Sequence, residues 1–164
     1  MEEVAQFFEK EAIQVVEAKD VVIFYSDSAI VRVKIKAPRL LNYIDAKEPR
    51  SVFSEGLVAD FYDPNHEPQS RLVAKHGVKY DTKNIIIVSD SVVITTIRNE
   101  KLETEELIWN EKTGNIETDK FVKVSTPNEV VYGYGLAAND DFSYWKIKAV
   151  TGRMEAKDIV KEFD

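Results

Sequence analysis

Apolar and polar residues alternate along most of the chain with a period of two, the pattern of strands that bury one face. The clearest run is IVRVKIK at 30–36. Val31, Val33 and Ile35 fall on one face there, and Arg32, Lys34 and Lys36 on the other. Hairpin turns are expected at TKN (82–84), KTGN (112–115) and STPNE (125–129), and DPNHEP (63–68) reads as a loop. Pro38, Pro64 and Pro68 are expected at edges or turns, because proline cannot donate to a central ladder. The front of the chain differs. Val4, Phe7, Phe8 and Val15 recur at helical spacing, which predicts a short N-terminal helix or linker over residues 1–19. Its charges are mostly acidic, which favours a docking helix or linker over a membrane-surface helix. EAKDIVKEFD (155–164) reads as a charged C-terminal tail, helical or frayed.

A repeat organises the middle. Residues 72–94 align without a gap on 102–124 at a constant shift of 30, pairing Leu72 with Leu102, Val78 with Ile108, Ile86 with Ile116 and Val92 with Val122. The turns at Lys83-Asn84 and Thr113-Gly114 superpose as well. A shift of 37 carries Ile35, Ala37, Leu41 and Tyr43 onto Leu72, Ala74, Val78 and Tyr80, and a weaker echo lies at Ala138, Phe142 and Tyr144. Each unit is a strand, a tight turn and a second strand. One such hairpin is marginal alone, whereas stacked hairpins share an apolar interior. The expected fold is therefore all-β: an elongated stack of antiparallel hairpins in two sheets, a sandwich or jellyroll. The interior is expected to hold Ile35, Leu72, Ile86, Val92, Ile94, Leu102, Ile116, Val122 and Val124. Glu103, Glu105, Glu117, Asp119 and Lys123 are expected to point outward. The strand edges at the two ends of such a stack can accept another chain.

Composition agrees with strands: 20 Val and 14 Ile stand against 7 Leu. Cysteine is absent, which removes thiol nucleophiles, disulfides and the common structural zinc sites. A net charge of −7 argues against a nucleic-acid partner. The longest interior apolar run, Ile85–Val88, is far too short to span a bilayer as a helix. No basic and apolar leader opens the chain. This gives either a cytoplasmic protein or a chain trimmed of its export signal or anchor.

Catalytic signals are weak, and no enzyme, metal site or cofactor is expected. His66, between Asp63 and Glu67, reads as part of a solvated turn, and His76 as a structural or surface residue. Ser26-Asp27-Ser28 and Ser89-Asp90-Ser91 read as turns without a nucleophile elbow. Gly133-Tyr134-Gly135 lacks the third glycine of a dinucleotide loop. The neighbours Glu105/Glu106 and Asp140/Asp141 point to opposite faces if they lie in strands. Trp109, Tyr144 and Trp145 could stack on sugars or pack across strands.

Three segments carry a resemblance: LVAKHGVKYDTKN, KLETEELIWNEKTGNIETDKFVKV and YGYGLAANDDFSYWKIKAVTG. Together they resemble the LptC family over roughly residues 20–154, in a superfamily shared with LptA and the N-terminal domain of LptD. The resemblance implies a twisted β-jellyroll open along one side. It also implies a periplasmic protein, anchored in the inner membrane, that receives lipopolysaccharide from an ABC transporter and passes it to LptA. The transporter would meet the N-terminal end and LptA the C-terminal end, through edge strands bearing Val22 and Phe24 at the front and Ile147 and Ala149 at the back. Edge pairing with a second copy is a further partnership this topology permits. Family members carry a membrane helix or lipid anchor, so the trimmed reading is preferred and residues 1–19 become the remnant linker.

The chemistry fits in outline. An apolar trough shields acyl chains at roughly 0.8 kcal/mol per CH2. An acidic domain holds an anionic head weakly, leaving it in water or to local cations such as Lys34, Lys36 and Arg39. The same Val and Ile pattern would also fill a dry sandwich core. Two alternatives follow: an LptA-like bridge component, or a structural β-repeat module with protein partners only. A fold without an open trough would favour the module.

Overall fold

A computed structural model of the chain describes residues 15–44 and 47–155. The period-two runs become eleven antiparallel strands. These are β1 (Val15–Asp27), β2 (Ile30–Tyr43), β3 (Arg50–Phe53), β4 (Leu57–Tyr62), β5 (Pro68–Ala74), β6 (His76–Tyr80), β7 (Ile85–Thr96), β8 (Lys101–Asn110), β9 (Asn115–Ser125), β10 (Glu129–Asn139) and β11 (Trp145–Glu155). No helix occurs among the described residues. The expected N-terminal helix fails over 15–19, which are strand, and its remainder, 1–14, lies outside the described residues. The reason is a ladder: Val15 to Lys19 pair in register with Tyr43 to Arg39, and Glu17 meets Arg39 at 2.9 Å. Cross-strand pairing overrides a short helical periodicity when β-branched residues lie in the run. Glu155 ends β11, and the rest of the expected tail lies outside the described residues.

All eleven strands belong to one hydrogen-bonded sheet, not two. The long strands β2 and β7 make this so, because each serves two partners along one flank. β2 pairs β4 through Val33–Lys36 and β3 through Leu41–Tyr43. β7 pairs β6 through Ile85–Ser89 and β5 through Val93–Thr96. The ladders β4–β5 and β3–β6 then close a ring of six strands. Two arms leave this ring: β1 on the other flank of β2, and β8 to β11 on the other flank of β7. The arms meet across the interior, where Tyr25 of β1 lies edge-on to Trp109 of β8 at 5.6 Å.

The repeat is written into the strand irregularities. Buried positions step by two along β2, the β5–β6 stretch, β7, β8 and β9, and then slip once near the middle of each. β2 slips from Ala37 to Leu40, the β5–β6 stretch from Ala74 to Gly77, and β8 from Thr104 to Leu107. β7 slips from Val88 to Val92 and β9 from Thr118 to Val122. The last two pairs are related by the shift of 30. Register shifts accompany the slips between Ser89 and Val92 and between Thr104 and Ile108. The Ser89-Asp90-Ser91 segment, expected as a turn, is such a bulge inside β7, with positive φ at Asp90 and Ser91. These slips bend each strand while keeping its apolar set inward. They also leave Val78 and Ile108, paired in the repeat, off the fully buried face.

Pro38 departs from expectation too. It lies inside β2, between the stretches that pair β4 and β3, and at a gap in the β1 ladder opposite Asp20. Its missing N–H therefore breaks no ladder bond. In β10, Gly133 is required by close approach: a Cβ there would sit 2.5 Å from both the Ala149 carbonyl oxygen and Ile147 Cγ2. Phe142, expected as an echo of the strand repeat, lies instead in the β10–β11 turn. It is fully buried, and Arg98 donates to its carbonyl.

Candidate functional site

The nine residues expected inside are all buried: Ile35, Leu72, Ile86, Val92, Ile94, Leu102, Ile116, Val122 and Val124. They form one cluster with Phe53, Phe61, Leu107, Leu136 and Phe142, drawn from the ring and from the β8–β11 arm. Four hydroxyl side chains are buried among the described residues: Ser51 donates to Asn42, Ser70 has no partner, and the two threonines are satisfied. Thr104 donates to the Phe121 carbonyl at 2.8 Å, and Thr118 accepts from the Lys120 N–H at 3.0 Å. The space left among Ile35, Leu72, Ile86 and Trp109 is only about 10 Å³, at most one water's worth. Among the described residues the interior at this point is greasy and tightly packed. An acyl chain enters it only if the walls part.

Trp109 stands at one boundary of this interior. It is edge-on to Phe61 on the inner side and to Tyr25 of the opposite arm, each at 5.6 Å. Beyond it opens a polar chamber of about 570 Å³, walled by the end of β1, the start of β2 and the turns after β6, β8 and β10. Asp27, Arg32, Glu111, Lys112 and Asp140 line it. Burial pushes the Glu111 carboxyl above its usual range, opposed by the Lys79 ammonium 3.9 Å away. Asp140 is raised by burial and then by Asp141, with Arg32 opposing. Tyr25 is raised by burial, and the Lys79 ammonium, 5.0 Å from its ring centroid, opposes. Sequence reasoning missed this chamber. Its residues come from four separated segments; Glu111 carried no signal of its own, and Asp140 stood out only as the neighbour of Asp141.

The edges fall as follows. β1 pairs only β2 and β11 pairs only β10, so each leaves one flank unpaired among the described residues. Val22 and Phe24 on β1 are 47% and 57% exposed. On β11, Ala149 is exposed, whereas Ile147 is 8% exposed. Ile147 therefore points its side chain into the core. Beside β1 runs a shallow, mainly apolar groove of about 480 Å³ lined by Val21, Val22, Pro38 and Val58. The cations expected near a head group lie away from the chamber. Arg39 is tied to Glu17, and Lys34 sits 5.9 Å from the Phe24 ring centroid on that exposed flank.

Other candidate chemistry is dispersed. His66 stacks on Tyr62 in the β4–β5 turn, where Asp63 accepts from the N–H groups of Asn65 and Glu67. His76 pairs opposite Ser89 in the β6–β7 ladder. Trp145 stacks on Phe142 and donates its indole N–H to Glu100. Among the described residues no group of three or more His, Cys, Asp or Glu is placed to hold a metal.

A family model described as lipopolysaccharide-assembly, LptC-related, matches residues 25–155. That span runs from Tyr25 through the last described strand. The chain belongs to the LptC family. Membership places this LptC-related chain in lipopolysaccharide assembly and transport, and the all-β fold accords with that of the resemblance. No individual curated protein matches the chain. None of its described elements is a helix long and apolar enough to cross a membrane.

Proposed function

We propose that this domain is a non-enzymatic carrier in the periplasm. It takes lipopolysaccharide from an inner-membrane ABC transporter, shelters the acyl chains between its two arms, and hands them to LptA. The observation that carries the reading is one contiguous, mainly apolar cluster, from Ile35 and Leu72 to Val124, lying between two edge strands unpaired among the described residues. β1 would face the transporter, and the exposed side chains of β11 around Ala149 would face LptA. Strand addition supplies the register on both sides. Since the interior is closed at rest, loading must displace the β1 arm, whose side chains Ala18, Val21, Ile23 and Tyr25 are only partly buried against the core. Membrane anchoring is proposed for the full-length protein on the strength of family membership.

A photo-crosslinking amino acid at Val92 or Val122 is expected to capture lipopolysaccharide in cells that supply it, and one at Glu103 or Lys123 is not. Capture from the outward pair alone would reject the interior path. The near absence of free volume favours a second reading, a structural β-repeat module with protein partners only. No lipid capture from any position, with LptA binding intact, would select that module.

A further inference from the structure

A second fastening, besides the contact of Tyr25 with Trp109, lies across the interior near β11. It joins the β7–β8 turn to the β10–β11 turn. Arg98 donates to the Phe142 carbonyl, and the Trp145 indole N–H donates to Glu100 Oε2 at 3.3 Å. Arg98 and the Thr96 hydroxyl hold the other oxygen of Glu100, at 3.0 and 3.2 Å. Phe142, stacked on Trp145 at 6.2 Å, is fully buried in the same cluster as the interior residues.

The ladders put these two turns at opposite ends of the β8–β11 arm. Lys101 pairs Ser125 next to the first turn, whereas Trp109 pairs Ile116, and Asn115 pairs Asn139, next to the second. The ten residues of β8 lie between them, about 30 Å of strand if straight. The turns meet because register shifts curl β8, β9 and β10 over the core. Side chains make the junction, and no ladder joins the two turns among the described residues. Parting it breaks no strand pair.

The β10–β11 turn is braced to move as a unit. Asn139 accepts from the Phe142 N–H at its carbonyl and from the Tyr144 N–H at its side chain, and Asp141 accepts from the Ser143 N–H. Phe142 has a φ of 59°, a left-handed backbone that is costly for a bulky side chain. Arg98 grips the carbonyl of that same residue, so the clasp holds a strained stopper in place. Trp145 ties the stopper to the sheet edge, because it is also the first residue of β11.

We propose that this clasp is an exit gate. Phe142 stops the interior near β11, and acyl chains leave past it once Arg98 and Trp145 let go. The gate rests on the carrier reading and adds to it the place and the trigger of release.

The test locks the gate. The chain has no cysteine, so Asn99→Cys and Tyr144→Cys, exposed positions beside the clasp, can be joined by a bis-maleimide linker that carries a reducible disulfide. The chain is loaded with labelled lipopolysaccharide, and release into nonionic micelles is followed, which needs no docking partner. Uptake is expected to match the parent with the linker intact. Release is expected to be lost until the linker is reduced, and its recovery in the same molecules reports that they are folded. Arg98→Ala, without a linker, is expected to release about tenfold faster than the parent, the scale of one hydrogen bond from a charged group. Release that continues with the linker intact, or a parental rate in Arg98→Ala, would overturn the gate and leave the carrier standing. A linked chain that takes up no lipopolysaccharide would make this mouth the entrance and overturn its assignment to exit. No uptake by the parent would remove the carrier and the gate together.

Discussion

Leu107 shows how closely a single side chain is specified. It is fully buried, two positions before Trp109 and just after the slip in β8. Leu107→Ala should cost about 2–5 kcal/mol, read as a lower urea midpoint at unchanged slope. The chamber acids make a second prediction, of opposite sign. Burial raises Asp140 above its unfolded value, so the folded chain binds a proton more tightly than the unfolded one. Folding stability attached to this group is then present at acid pH and lost as pH rises through the raised value. Asp140→Asn should therefore melt at a higher temperature than the parent at pH 7, with the difference shrinking on acidification. A constant difference across that range would remove burial as the cause. At this scale the sequence was informative where period two holds, which is why all nine interior residues lie buried. It was silent on the chamber, because an acid's burial depends on which distant turns gather round it.

The strands carry two lessons. Hairpin turns at 82–84, 112–115 and 125–129 were legible from turn chemistry, and the slips in β7 and β9 are related by the same shift of 30 as the sequence repeat. The slips themselves were not legible. A slip of three, as from Ala37 to Leu40, moves the apolar set to the other parity, and the slip of four from Val88 to Val92 keeps the parity but leaves a polar gap at Ser89–Ser91 that a local count reads as a turn. The front helix was misjudged for a related reason: pairing with β2 lies outside any local window. For β11 the placement of alternate side chains separates docking from folding. Ala149→Lys should weaken LptA binding while the melting temperature stays near that of the parent, since exposed changes rarely exceed about 0.5 kcal/mol. Ile147→Lys, facing the core, should lower the melting temperature sharply. Undisturbed LptA binding in Ala149→Lys would move the docking surface away from β11.

The molecule as a whole is a closed ring with two arms that meet through Tyr25 and Trp109. Its class followed from β-branched composition and the hairpin repeat, because both act locally. Its single-sheet closure did not, because it depends on β2 and β7 each serving two partners at different heights. The closed interior gives the carrier account its sharpest physical demand. Acyl chains cannot occupy about 10 Å³, so β1 has to move away from the opposing arm during loading. Spin labels at Phe24 on β1 and Glu105 on β8, both exposed, report that separation in a pulsed dipolar distance measurement. The account predicts a longer distance on adding lipopolysaccharide, and no change with its deacylated saccharide. An unaltered distance with lipopolysaccharide crosslinked to the protein would contradict it.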